Sequence, residues 1–167
     1  MHLLATQTGI IDASAEAVDL DQRPGDIVVL SAADSELAAL ARGWDVSPTR
    51  KTLRLANLLT LQHNLSVDLY IEKTLRHAAL IVLRLLGGSE YWRYGLAEIE
   101  ALCRREAIDL AVLPGDRLPD PGLMARSTLD RSTCERMRQY LATGGAENIA
   151  GFLQLCRSLL GDIPLWN

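Results

Sequence analysis

Three short stretches of this 167-residue chain hold the residue types from which a binding site can be built. The first is Gly87-Gly88-Ser89-Glu90-Tyr91-Trp92-Arg93-Tyr94-Gly95. Its paired glycines let backbone approach a ligand closely. The rings of Tyr91, Trp92 and Tyr94 would make a flat apolar platform, able to stack on a macrocycle or a partner surface. The plainer alternative is a helix entry whose rings fasten the next helix to its support, since aromatic clusters usually sit in cores. The second stretch groups Asn57 with Gln62, His63 and Asn64. His63 is the histidine to test as a metal ligand. None of His2, His63 and His77 has a second ligand at metal-binding spacing, so a hydrogen-bonded structural role is the simpler reading. The third is Thr6-Gln7-Thr8-Gly9, whose hydroxyls and backbone N–H groups suit a phosphate at a helix N-terminus. Asp12 follows closely and would repel that phosphate, which favours an ordinary polar turn. The expected ligand-facing set is Thr6, Gln7, Asn57, His63, Asn64, Gly87, Gly88, Tyr91 and Trp92. No residue is assigned a catalytic or metal-binding role.

The commonest chemistries of α/β sheets are missing from the sequence. There is no G-x-x-x-x-G-K-[ST] phosphate loop, no G-x-G-x-x-G, no G-x-S-x-G and no H-E-x-x-H. A phosphoacceptor domain needs an aspartate at the end of its central strand. Here that position is Asn57, which is no nucleophile. Cys103, Cys134 and Cys156 are widely spaced and form no C-x-x-C pair; each falls on the apolar stripe of an expected helix, as a reduced core thiol would.

These candidates need a scaffold, and the hydrophobic pattern supplies one. Apolar runs at His2–Thr6, Asp26–Ser31, Leu53–Asn57, Ala79–Leu85 and Leu110–Pro114 read as five strands. They are continuous rather than alternating, as in a parallel sheet covered on both faces. Helical periods lie between them. One spans Glu36–Trp44, capped by Asp34 or Ser35. A second is capped by Ser66 and carries Val67, Tyr70, Ile71, Thr74 and Ala78. A third runs from Gly95 to Glu106. Ala13–Val18 has a poor period for a helix. Proline and glycine break the chain over Pro114–Gly122. A helix opened by the capping-box pattern Ser132-Thr133-Cys134-Glu135 then runs to Gly144-Gly145, and a last one bears Ile149, Phe152, Leu153, Cys156, Leu159 and Leu160. The expected fold is α/β: an open, doubly wound, mostly parallel five-stranded sheet of flavodoxin or Rossmann type with a C-terminal helical pair. Residues 1–127 would form the α/β part and 128–167 a helical extension packing on it. Ligands in such sheets bind beyond the strands' carboxyl ends, which directs attention to Ser31, Asn57, Gly87-Gly88 and Gly115-Asp116.

A hydrophobic fraction of 49 % and a charged fraction of 23 % suit one globular domain rather than a disordered chain. A formal net charge of −4 provides no phosphate-seeking surface, so nucleic acid is not an expected partner. The N-terminus lacks the basic region of a signal peptide, and no apolar run approaches the roughly 18 residues of a membrane span. A cytoplasmic protein is expected.

Longer strings carry a family resemblance. Leu53-Arg54-Leu55-Ala56-Asn57-Leu58-Leu59, Gln62-His63-Asn64-Leu65-Ser66-Val67-Asp68-Leu69-Tyr70, and Arg84-Leu85-Leu86-Gly87-Gly88 with Tyr91-Trp92 and Tyr94-Gly95 resemble the N-terminal region of the aerobic cobaltochelatase large subunits, the CobN family. That family is related to the large subunit of magnesium chelatase. Ala33-Asp34-Ser35 and Ala111-Val112-Leu113-Pro114-Gly115-Asp116 fit the same pattern. Ala32 stands where an aromatic residue is expected, and Arg42–Thr52 is a shortened connection. Family members are several times longer, so the resemblance implies an N-terminal fragment. It also implies an intact ligase that inserts cobalt(II) into hydrogenobyrinic acid a,c-diamide during cobalamin biosynthesis, with ATP and magnesium handled by separate AAA+ motor subunits. The implied partners are the remainder of the large subunit, those motors and the corrinoid precursor. Metal insertion needs a base for the pyrrole protons and ligands to deliver the cation. One plausible histidine does not supply these, so the expected role is a scaffold or tetrapyrrole-handling domain inactive alone. Two other roles remain open: a non-enzymatic docking domain, suggested by the wide apolar face of Ile149–Leu160, and a flavodoxin-like carrier.

Overall fold

A computed structural model describes residues 4–5 and 16–162. Thr6 and Gln7 lie outside the described residues. The strands are β1 (Leu4–Ala5), β2 (Ile27–Ser31), β3 (Leu53–Asn57), β4 (Leu80–Leu85) and β5 (Asp109–Pro114). The helices are α1 (Asp34–Asp45), α2 (Asn64–Lys73), α3 (Arg93–Glu106), α4 (Pro121–Met124), α5 (Arg131–Thr143) and α6 (Ala146–Leu159). Every strand pair is parallel. The four longer strands run in the order β3-β2-β4-β5, and the two residues of β1 lie along the outer side of β3.

Successive strand side chains point to opposite faces, and here both faces are apolar. Val28, Leu30, Ile81 and Leu83 pack with Val67 and Tyr70 of α2 and Leu96, Ile99 and Cys103 of α3. Ile27, Val29, Leu80 and Val82 pack with Leu37 and Leu40 of α1, Cys134 and Met137 of α5, and Phe152, Leu153 and Cys156 of α6. This double burial explains why the strands read as unbroken apolar runs. The C-terminal helical pair is therefore part of one covering layer. The apolar face of α6 rests on the sheet and on α1, where Gly43 allows close approach: a Cβ there would lie 2.9 Å from Ile149 Cγ2. That face is covered, which removes the sequence hint that it was a free docking surface.

The strand order differs from the 2-1-3-4-5 order of flavodoxins. The first strand sits at the edge, and the chain reaches β2 along residues 16–25 without a described helix; Glu16–Val18 is not helical. This segment is held by polar contacts instead. Gln22 is buried, donates to the Leu55 carbonyl at 3.0 Å and accepts from the Tyr70 hydroxyl at 2.5 Å. Burial also pushes the Tyr70 phenol well above its ordinary value.

The far edge is sealed by side chains. The Leu110 and Val112 N–H groups donate to Thr128 Oγ1 (2.7 Å) and Ser127 Oγ (2.8 Å), while the Leu110 carbonyl accepts from the Thr128 N–H at 2.9 Å. Pro114 closes the strand without an N–H to expose, so β5 offers little to another strand.

Three helix starts differ from expectation. Ser66 does not cap α2: His63 does, its Nδ1 accepting from the Leu65 N–H at 3.1 Å, while Ser66 faces inward and accepts from the Val18 N–H at 2.7 Å. Asp130, not Ser132, caps α5, because a carboxylate is the stronger acceptor for the Thr133 N–H. Asp34 is the first residue of α1 rather than its cap, and Ala33 precedes it with its N–H on Ser31 Oγ at 3.1 Å. At the other end of α3, Ala107 ends the helix in the left-handed region (φ 55), with the Ile108 N–H donating to the Cys103 carbonyl at 3.0 Å.

Candidate functional site

The parallel register places Asn57, Ser31, Arg84 and Leu113 in one row across the carboxyl ends of β3, β2, β4 and β5. The chain turns toward one face after β2 and toward the other after β4, so the crevice between Ser31 and Arg84 is the switch point where doubly wound sheets take ligands. Glu36, in the first turn of α1, fills it. Its carboxylate forms an ion pair with Arg84 and accepts from Ser31 Oγ at 2.8 Å; the two charged side chains are 10 % and 11 % exposed. Arg84 also faces the carbonyls of Pro114 (3.4 Å), Gly115 (3.3 Å) and Leu141 (3.4 Å). Burial holds its pKa below the usual guanidinium value, with Asp116 pulling it back up and Arg138 adding to the lowering.

Asn57 extends this network. Its amide nitrogen donates to Asp34 Oδ1 at 2.8 Å, and its oxygen accepts from the Leu59 N–H at 2.9 Å, starting the 3-10 turn Leu58–Leu61. A phosphate at the start of α1 would meet the carboxylates of Asp34 and Glu36, so the described residues do not fit a bound nucleotide or flavin phosphate here.

The aromatic stretch is placed differently from a free platform. Trp92 is 6 % exposed, donates from Nε1 to the Leu61 carbonyl at 2.9 Å and packs in the core with Leu96 and Ile99. Gly95 is required beneath it, since a Cβ there would lie 2.1 Å from Trp92 Cε2. The indole thus ties the loop after β4 to the turn after β3. Tyr91 is half-buried and leans on Gly87, and Gly88 turns the loop at φ 72. Tyr94 donates to Asp68 Oδ1 at 2.7 Å, joining α3 to α2, and this bond pushes its phenol up to about 12. His63 and Asn64 are exposed at the start of α2. The structure therefore brings Trp92 and the Asn57–His63 region together over one face. It turns Asn57, His63 and Trp92 toward internal bonds and leaves Gly87, Gly88 and Tyr91 at the rim.

Sequence reasoning missed Glu36 and Arg84. A charge inside the run Leu80–Leu85 was the available signal, because a buried strand cannot hold an arginine without a partner. Among the described residues no group of three or more His, Cys, Asp or Glu is arranged to hold a metal ion, and no helix is long and apolar enough to cross a membrane. Cys103, Cys134 and Cys156 are buried and unpaired, and burial raises the thiol pKa of each, that of Cys103 to about 12.

No protein-family model and no solved structure matches the chain. Two curated proteins do. Aerobic cobaltochelatase subunit CobN of a Sinorhizobium species is 44 % identical over 160 residues, covering 96 % of this chain and 12 % of the relative. Aerobic cobaltochelatase subunit CobN of Pseudomonas aeruginosa is 44 % identical over 168 residues, covering 99 % of this chain and 13 % of the relative. The chain thus spans about one eighth of the length of these relatives. Over nearly its whole length, it is a domain related to the N-terminal region of the CobN subunit of aerobic cobaltochelatase.

Proposed function

We propose that the chain serves as the N-terminal domain of a cobaltochelatase large subunit and acts there as a scaffold that helps frame the tetrapyrrole. The enzyme so formed is a cytoplasmic ligase of cobalamin biosynthesis. It inserts cobalt(II) into hydrogenobyrinic acid a,c-diamide, while AAA+ motor subunits hydrolyse ATP with magnesium. The observation that carries this reading is the 44 % identity across 96–99 % of the chain. The geometry favours the scaffold role over independent catalysis. Glu36 and Arg84 fill the switch-point crevice, Asn57 and Trp92 spend their polar groups on internal bonds, and His63 Nδ1 accepts from the Leu65 N–H. Glu36, Asn57 and Trp92 are thereby not left poised to take a pyrrole proton.

The test is an exchange. The N-terminal region of the P. aeruginosa subunit is replaced by this chain, and cobalt insertion is measured with the motor subunits and the corrinoid precursor. Activity is expected from the chimera, and none from the chain alone or from a subunit lacking the region. An inactive but folded chimera, or cobalt insertion by the chain alone, overturns the reading.

A further inference from the structure

We infer that the loops after β4 and β5 present a preformed apolar rim, Leu86 with Leu118, that docks against the remainder of a CobN-type large subunit; the inference rests on the functional reading above. Leu118 is 73 % exposed and Leu86 51 %. Their loops touch: a Cβ on Gly115 would lie 2.9 Å from Leu86 Cδ2, and the Gly115 N–H donates to the Leu85 carbonyl at 2.7 Å.

The loop that carries Leu118 is held at several points. Arg84 faces the carbonyls of Pro114 and Gly115, and Arg138, itself buried and paired with Glu135, donates to the Arg117 carbonyl at 2.9 Å. Asp116 Oδ1 accepts from the Leu118 N–H at 3.2 Å, and Asp120 Oδ1 accepts from the Leu123 N–H at 3.0 Å to start α4. The turn that presents Leu118 thus has its backbone fixed before any partner arrives, which lowers the cost of ordering an interface.

Three observations select the partner. The sheet faces are covered by helices and the β5 edge by residues 127–129, so docking through them would require unpacking. A side chain as exposed as Leu118 stands out from the surface, whereas small ligands bind in concavities that bury most of their area. In the relatives, the matched region makes up only 12–13 % of the polypeptide, so it is joined there to a far larger body. The rim fits an apolar patch on that body.

Hydroxyl-radical footprinting of the isolated chain and of the chimera described above tests this. Leu86 and Leu118 are expected to be labelled about fivefold less in the chimera, because the centre of an interface excludes water. Val46, 83 % exposed at the end of α1, serves as the control and keeps its labelling. Leu118→Asp in the chimera should restore labelling of Leu86 while the far-ultraviolet spectrum stays unchanged. Equal labelling of the two leucines in an active chimera overturns the docking inference and leaves the functional reading standing. Protection that appears only when the corrinoid precursor is added also overturns it, since the rim would then be a ligand site. Protection in an inactive chimera supports the rim while sinking the functional reading.

Discussion

Arg84 is the residue on which the strand tips converge, touching Glu36 of α1, the Pro114 and Gly115 carbonyls at the end of β5, and the Leu141 carbonyl of α5. Removing one partner of a buried ion pair leaves the other charge uncompensated, at a cost of about 3–5 kcal/mol. Arg84→Met should lose stability of that order in urea denaturation, and the double change with Glu36→Leu should recover much of it. A smaller effect for the single change would mean that water reaches the pair. Tyr94 gives a second residue-scale expectation. Its pKa is raised, so the contribution of its bond to Asp68 is complete below the ordinary value of 10.0 and is lost as pH rises through about 12. Asp68→Asn should bring one tyrosinate transition, followed by ultraviolet absorbance, back down toward 10.0. The charge of Arg84 was visible inside an apolar run, but its pairing with Glu36 was not, because residues 48 positions apart meet only once the sheet brings β2 and β4 together. Trp92 and His63 were visible as unusual residues, but their partners, a carbonyl and a neighbouring N–H, carry no sequence signature.

At the level of elements, the four longer strands and most helices were legible because burial on both faces forces uninterrupted apolar runs and amphipathic periods. Helix starts were less so. Several acceptors compete for the same few N–H groups, and the choice of His63 over Ser66, or Asp130 over Ser132, depends on which side chain the rest of the fold pulls inward. The position of β1 was illegible for a different reason: an apolar run specifies a strand but not its neighbour. The β5 edge yields a prediction at this scale. Ser127→Ala together with Thr128→Val leaves the Leu110 and Val112 N–H groups without partners, which should cost about 1–3 kcal/mol for each. The bared edge should also pair between molecules. Light scattering during mild heating should show association of the double variant well before the parent; equal behaviour would mean that backbone contacts alone protect the edge.

For the molecule as a whole, α5 and α6 cover the same sheet face as α1, and Phe152 and Met137 are fully buried there. Cutting the chain after Ser127 would expose that face, so the truncated product should fail to fold, and the intact chain should unfold in one transition by both circular dichroism and tryptophan fluorescence. A truncated product that retains native spectra would show that the helical pair is an accessory. The left-handed Ala107 between α3 and β5 has a use here. Alanine tolerates that conformation poorly and glycine readily, so Ala107→Gly should raise stability by about 0.5–1 kcal/mol, visible as a higher urea midpoint. Far from the strand tips in the chain's path, the exchange would give a sturdier parent in which the harsher substitutions at Arg84 and Leu118 can be compared as folded proteins.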